Sequence, residues 1–234
     1  MSSHSSLDPR EGGEAALDLH SIRTFLRQWM RDPVKMASVT PSGRQLARLM
    51  VEQLPPGCER VVEVGAGTGV FTRALLDAGI KTSRLLVVEI NPDLAGFLRD
   101  RFPGVAVACA DARHLDTLAE EHGLLADGKL DAVVSGLGML SMSSSLRCDI
   151  LRAAFAALGE GGRFIQFTYG PASPVRRHER DALGLRMHRA GFAARNLPPA
   201  TVYVYQRSRS RHIASVRQPP HPLKLAPAQP SSSE

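Results

Sequence analysis

The stretch Val61-Val62-Glu63-Val64-Gly65-Ala66-Gly67-Thr68-Gly69 constrains this chain more than any other. A short β-rich run ends in three alternating glycines and leads into the apolar-periodic Val70–Ala78, so it reads as a strand that turns sharply into a helix. Glycine at such a turn lets the backbone bend tightly and lets a ligand approach without meeting a Cβ. The chain then repeats the pattern. Arg84–Glu89, Val105–Ala108, Ala132–Ser135 and Gly162–Tyr169 read as strands, Pro92–Arg101 and 143–158 as helices, and 114–125 as a looser segment. Thr201–Gln206 reads as a last strand, reached through the basic stretch 176–190, which reads as helical. Strands alternating with helices predict an α/β fold, a mostly parallel sheet covered on both faces.

A dinucleotide fingerprint would be G-x-G-x-x-G. Here the glycines stand at 65, 67 and 69, and the position needed for the third is Val70. The run E-x-G-x-G-x-G instead resembles motif I of the class I S-adenosylmethionine (SAM) methyltransferases. That resemblance implies a Rossmann-like sheet whose last strand is antiparallel, and SAM as cofactor. It implies a cofactor turn built from Glu63, Gly65, Ala66, Gly67, Thr68 and Gly69. Glu89 ends the second strand 22 residues after Gly67, where a carboxylate can accept both ribose hydroxyls. Asp111, after the third strand, is placed to meet the adenine amino group; taken singly, each acid also reads as a solvated turn residue. Ile90, Ala112 and Ser135 complete the expected cofactor set. All lie at carboxyl ends of strands, the rim where open α/β sheets bind ligands.

Composition narrows the class. The 234 residues are 43% hydrophobic and 22% charged, which describes a globular protein long enough to bury a sizeable core. No run approaches the ~18–20 apolar residues of a membrane span. The first twenty residues are polar and mildly acidic, unlike a secretory signal. Cys58, Cys109 and Cys148 are odd in number and far apart, with no metal spacing, which fits a reducing cytoplasm and no metal site. Residues 1–18 and 218–234 have the composition of disordered tails, which leaves helices over 20–54 and a catalytic domain over 58–217.

Charge is unevenly placed. Net charge is −3 over 1–20, +5 over 21–50, −4 over 51–170, +8 over 171–217 and zero beyond. An acidic body between basic flanks implies phosphate-bearing partners. The second flank holds ten Arg and no Lys, side chains suited to forking phosphates on lipid or RNA alike.

The methyl acceptor is sought after the fourth strand, at Ser135-Gly136-Leu137-Gly138-Met139. Adenine N6 methyltransferases carry N-[IL]-P-[YF] or D-P-P-Y there, and neither is present. The chain resembles bacterial phosphatidylethanolamine/phospholipid N-methyltransferases of the soluble type, over roughly Phe25 to Arg207. The distinguishing segments are Ser135-Gly136-Leu137 with Leu140-Ser141, Gln166-Phe167-Thr168-Tyr169-Gly170-Pro171 with Ser173-Pro174, and Asn196-Leu197-Pro198-Pro199-Ala200. The family commonly has Pro near the Gly138 position, a departure in the acceptor loop. The resemblance implies stepwise methylation of phosphatidylethanolamine toward phosphatidylcholine. Ornithine lipids, which present a similar amine, and an RNA base are the alternative acceptors; nucleic acid is not the expected partner.

Only a neutral amine can attack the sulfonium methyl. A lysine-like ammonium sits ~3 units above pH 7, so deprotonation costs about 4 kcal/mol, a cost that burial lowers. Positioning then carries much of the rate, and an aromatic wall can hold each methylated cation. Tyr169 is the catalytic candidate, as that wall or as an orienting hydroxyl; packing at a strand end is its other reading. His114 reads as a proton relay or as a surface histidine.

A lipid substrate requires a route onto the bilayer. Ile22, Phe25, Leu26, Trp29 and Met30 fall on one helical face, with Arg23, Arg27, Arg31 and Lys35 beside it. That is the composition of an interfacial helix, and equally of a helix capping the domain. Four cations at an anionic leaflet contribute at most ~4 kcal/mol, reversibly and salt-sensitively. The expected location is therefore peripheral, on the inner face of the cytoplasmic membrane.

Overall fold

The computed structural model describes residues 41–208 except 195 and 197. The expected helix over 20–36, with Phe25, Trp29, Arg23, Arg27, Arg31 and Lys35, lies outside the described residues, as do both tails. Helix α1 is Pro41–Val51. Then follow β1 (Val61–Val64), α2 (Val70–Asp77), β2 (Leu85–Glu89), α3 (Pro92–Arg101), β3 (Ala106–Cys109), α4 (Leu115–Glu121) and β4 (Leu130–Ser135). The second half holds α5 (Ser144–Ala157), β5 (Leu158–Tyr169), α6 (Arg177–Ala182), β6 (Leu185–Ala193) and β7 (Ala200–Arg207).

Seven strands form one sheet in the order β3-β2-β1-β4-β5-β7-β6. The first five are parallel, and β7 runs antiparallel between β5 and β6. Strands β1 and β2 are buried at every position, as their unbroken apolar runs require of a sheet covered on both faces. On one face Val62, Val64, Leu86, Val88 and Val133 meet the apolar sides of α4 and α5. On the other, Val61, Leu85, Val87, Ala132 and Val134 meet Met50 of α1, Leu75 of α2 and Leu98 of α3. Asn91 caps α3 by accepting from Asp93 N and Leu94 N, with Pro92 at the first helical position. Among the described residues no helix is long and apolar enough to cross a membrane.

One element corrects the sequence reading. The stretch 176–190 is helical only over Arg177–Ala182; from Leu185 it is strand β6. Arginine is a good helix former, which masks a period of two: Leu185 and Met187 turn to the core while Arg186 and His188 are exposed. The missed signal lay in β7. Its residues Ala200–Tyr205 are all buried, and such a strand needs hydrogen-bonding neighbours on both edges.

Candidate active site

The carboxyl ends of β1, β2 and β4 are knitted together beyond their last ladder pairs. Gly65 N donates to Val88 O (2.8 Å), Gly136 N to Val64 O (2.9 Å) and Ala110 N to Glu89 O (3.1 Å). The turn after β1 is therefore held from both sides. Gly65, Gly67 and Gly69 all have positive φ (68°, 57° and 81°), a region that L side chains rarely adopt. Two of them also permit packing. A Cβ on Gly65 would stand 2.6 Å from Leu137 Cδ2, and one on Gly69 would stand 2.3 Å from Phe102 Cε2. From the other side, a Cβ on Gly136 would lie 2.3 Å from Gly65 O.

Glu89 fixes the turn electrostatically. Its Oε2 accepts from Gly67 N (2.9 Å) and its Oε1 from Asn91 N (3.0 Å), in a side chain only 6% exposed. Each oxygen keeps a second lone pair, so the carboxylate can still receive two hydroxyls. Beside it Ile90 is 66% exposed, an apolar surface at the rim with nothing over it among the described residues. Glu63 lies beneath the turn, fully buried, accepting from Thr72 Oγ1 (2.6 Å) on Oε2 while Oε1 has no partner. Burial, with a smaller contribution from the charge of Glu89, raises its carboxyl to about 8 against the opposing hydrogen bonds of Thr72. It is therefore a neutral acid at pH 7.

Asp111 caps the single 3₁₀ turn Ala112–His114 by accepting from Arg113 N (2.8 Å). Its other oxygen takes the Arg113 guanidinium at 2.8 Å, and that hydrogen bond holds the carboxyl below its ordinary range. His114 is exposed, and Ala66, Thr68, Ala112 and Ser135 are buried around the rim.

The loop after β4 is held by contacts that sequence reasoning did not assign. Ser135 pairs with Gln166 across β4 and β5. Gln166 Nε2 donates to Leu137 O (2.9 Å), and Leu137 N reaches Ser135 Oγ at 3.4 Å. Farther along the loop, Arg147 of α5 donates to Met142 O (2.6 Å) and Met139 O (3.3 Å) and pairs with Glu179 of α6 at 2.5 Å. Ser144 Oγ and Arg176 N also donate to Glu179. Both charged residues are buried. The signal for this pair was present: Arg147 shares a helical face with Ile150, Leu151 and Ala154, and a charge on a core-facing stripe demands a buried partner.

Tyr169 ends β5, edge-on to Phe167 at 5.3 Å between ring centroids, and Phe167 is edge-on to Phe71 of α2 at 5.6 Å. Burial raises its hydroxyl above the ordinary tyrosine range, partly offset by a side-chain hydrogen bond with Asn196. The hydroxyl is thus neutral at physiological pH. Asn196, itself buried, also donates Nδ2 to Pro198 O (2.7 Å), so the residue that bonds Tyr169 at the end of β5 is itself held in place.

The donors and acceptors suit SAM. Glu89 offers acceptor lone pairs for a diol, Ile90 an apolar face for a purine, and Glu63 an unpartnered oxygen under the glycine turn.

Residues 61–162 match the methyltransferase domain family. The chain is 34% identical over 183 residues to the ornithine lipid N-methyltransferase of Singulisphaera acidiphila, across 76% of this chain and 92% of that protein. A shorter match, 39% identical over 83 residues, joins 35% of this chain to 30% of ribosomal RNA small subunit methyltransferase A of Bordetella pertussis. The magnesium protoporphyrin IX methyltransferase of Synechocystis PCC 6803, solved with SAM bound, shares the fold at a TM-score of 0.55. That likeness has 15% identity and covers 83% of this chain and 99% of that one. A glycine turn braced by Glu89, the seven-strand order, and a relative matched over nearly its whole length lead to one assignment: the chain belongs to the class I SAM-dependent methyltransferases.

Proposed function

We propose that this protein methylates the amine of an amino-lipid, with an ornithine lipid as its first acceptor. The observation that carries this reading is the 34% identity to an ornithine lipid N-methyltransferase across 92% of that protein. The resemblance read from the sequence put phosphatidylethanolamine first; this relative supports the ornithine lipid alternative better, and phosphatidylethanolamine becomes the competing acceptor. The RNA reading rests on a match to only 30% of a ribosomal RNA enzyme. Against it, the acceptor loop Ser135-Gly136-Leu137-Gly138-Met139 has no aromatic and no amide or carboxylate to hold a base.

When bound, SAM supplies an electrophilic methyl group. Glu63, Gly65, Ala66, Gly67, Thr68 and Gly69 form the turn against it, and Glu89 receives the ribose hydroxyls. Ile90, Asp111 and Ala112 flank the adenine, and Ser135 closes the side toward the acceptor. The chain then has to present an uncharged amine in line and keep water away. A half-buried rim lowers the cost of deprotonating that amine. Tyr169, neutral and fixed through Asn196, either orients the amine through its hydroxyl or offers its ring to the methylated cation. The segment with Phe25, Trp29, Arg23, Arg27, Arg31 and Lys35 brings the enzyme onto an anionic leaflet, peripherally, at the cytoplasmic face.

The test is methyl transfer by the full-length protein from radiolabelled SAM, offered in parallel vesicles with ornithine lipid, vesicles with phosphatidylethanolamine, and undermodified ribosomal RNA. Label in the ornithine lipid fraction is expected. Label in RNA with both lipids blank would overturn the reading, and label confined to phosphatidylethanolamine would replace the acceptor.

A further inference from the structure

Among the described residues two large apolar side chains are exposed, Ile90 and Phe192. Ile90 belongs to the cofactor rim; Phe192, 48% exposed, lies apart from it. It sits on the edge strand β6, and a register irregularity decides what stands beside it. Arg189 pairs with Tyr203 and Gly191 with Val202, so Ala190 is the extra residue of a bulge. Phe192 pairs with Thr201. Tyr203 and Thr201 are two apart on β7 and therefore share a face, so Arg189 and Phe192, three apart in sequence, share that face too. An unbroken strand would have put them on opposite sides. The guanidinium lies 5.5 Å from the Phe192 ring centroid.

A loop with exposed apolar residues adjoins the pair. Thr201 Oγ1 donates to Gly170 O (2.8 Å) and Tyr203 Oη to Pro171 O, which brings the loop with exposed Pro171 and Ala172 over this face of the sheet. Arg186 and His188, paired with Gln206 and Val204, are exposed on the opposite face of β6, and no acidic residue occurs between Gly184 and Asn196 on either face. The position along the strand matters as well. Strands β5 and β6 are both antiparallel to β7, and Ala193 and Tyr169 pair with the same residue, Ala200. Phe192 therefore stands at the same end of the sheet as Tyr169, Ser135 and Glu89.

We infer that this Arg189–Phe192 face of β6, with the adjoining Pro171–Ala172 loop, is a docking surface for an anionic phospholipid bilayer. The inference rests on the amino-lipid reading above and deepens it by naming where the described domain meets its substrate phase. An aromatic ring with a cation folded over it can enter the headgroup boundary while the guanidinium reaches a phosphate. A strand with an exposed arginine on this face and no acid along its length complements an anionic leaflet. Docking there holds the rim holding Tyr169 against the membrane, so a lipid amine need rise only a short way to reach it. A lone aromatic in this stretch offers less to RNA, where successive bases need successive stacking platforms.

The experiment uses the full-length protein carrying Trp29→Phe and Phe192→Trp. Trp29 is the chain's single tryptophan, so the new indole at 192 becomes the only one. Its emission should shift to the blue with vesicles containing phosphatidylglycerol and stay unshifted with pure phosphatidylcholine. In a second variant, Arg189→Glu with Phe192→Ser should weaken sedimentation with the anionic vesicles by about tenfold, while melting temperature and SAM affinity match the wild type. An indole that stays in water on anionic vesicles overturns the proposal, as does undiminished sedimentation of the second variant. A response to ribosomal RNA without one to vesicles overturns it in favour of a nucleic-acid face. Neither readout uses methyl transfer, so failure of the acceptor assignment is a separate result.

Discussion

Gln166 and Leu137 share a 2.9 Å hydrogen bond that ties the middle of β5 to the loop after β4, and the Leu137 side chain in turn abuts Gly65. One residue is thus gripped by β5 and by the glycine turn. Gln166→Leu keeps the volume but removes the strand-to-loop donor of Leu137 O, which retains only the local bond from Met139 N (2.8 Å), a loss of about 0.5–1.5 kcal/mol. We expect a lower melting temperature and at least about a tenfold loss of kcat, since a small displacement of a reacting group has that scale. SAM affinity, measured by calorimetry, should change less than kcat.

Glu89→Ala should raise the SAM dissociation constant by about tenfold or more, because charge-assisted hydrogen bonds are worth about 1.5–3 kcal/mol. It also removes the acceptor of Gly67 N, so the glycine turn itself loosens. Unchanged affinity in calorimetry would take Glu89 out of the cofactor site.

Glu63 makes stability depend on pH. Its folded carboxyl is raised from 4.5 to about 8. Between those values the folded state keeps a proton that the unfolded state has released, so stability falls as pH rises through the window, by roughly 3 kcal/mol at pH 7. Glu63→Gln is neutral throughout. Its melting temperature should vary less than that of the wild type between pH 5 and 8, in scans made without SAM.

Arg147 and Glu179 respond in the opposite sense. Burial raises the Glu179 carboxyl, but hydrogen bonds from Arg147, Ser144 and Arg176 N, with the guanidinium charge, outweigh it and hold it at about 2. This stabilisation is complete above the ordinary value near 4.5 and is lost as pH falls toward 2. Arg147→Met strands a buried carboxylate and removes the guanidinium donor of Met142 O, and should cost about 3–5 kcal/mol in denaturant unfolding. Replacing both partners, Arg147→Met with Glu179→Leu, should recover much of that stability. A double variant that is stable yet slow would show that the pair positions the acceptor loop.

The central sheet is legible in the sequence because its strands are short apolar runs cut by glycine and acids, and a parallel sheet buried on both faces has no other appearance. Glu89 is legible through its spacing from Gly67. The loop after β4 and its supports are harder to read. Gln166 holds Leu137 across 29 residues, and Arg147 reaches Glu179 across 32; neither separation carries a periodic signature. Strand β6 hid behind its arginines, and its bulge at Ala190 cannot be read from composition, because only the partner strand defines it.

Tyr169 separates two mechanisms on one side chain. Its hydroxyl is held above the ordinary range by burial and engaged with Asn196, and its ring stacks edge-on against Phe167. If the hydroxyl orients the amine, Tyr169→Phe loses about one hydrogen bond in the transition state, a kcat loss of roughly tenfold. If the ring holds the methylated cation, Phe suffices and turnover stays within about twofold, because cation–π attraction needs only the ring face. Tyr169→Ala harms both cases and also opens a void beside Phe167. Kinetics should therefore be followed step by step. A ring role predicts that Tyr169→Ala impairs the later methylations more than the first, as the substrate then enters carrying methyl groups that favour the aromatic surface. Equal loss at every step would leave only the hydroxyl.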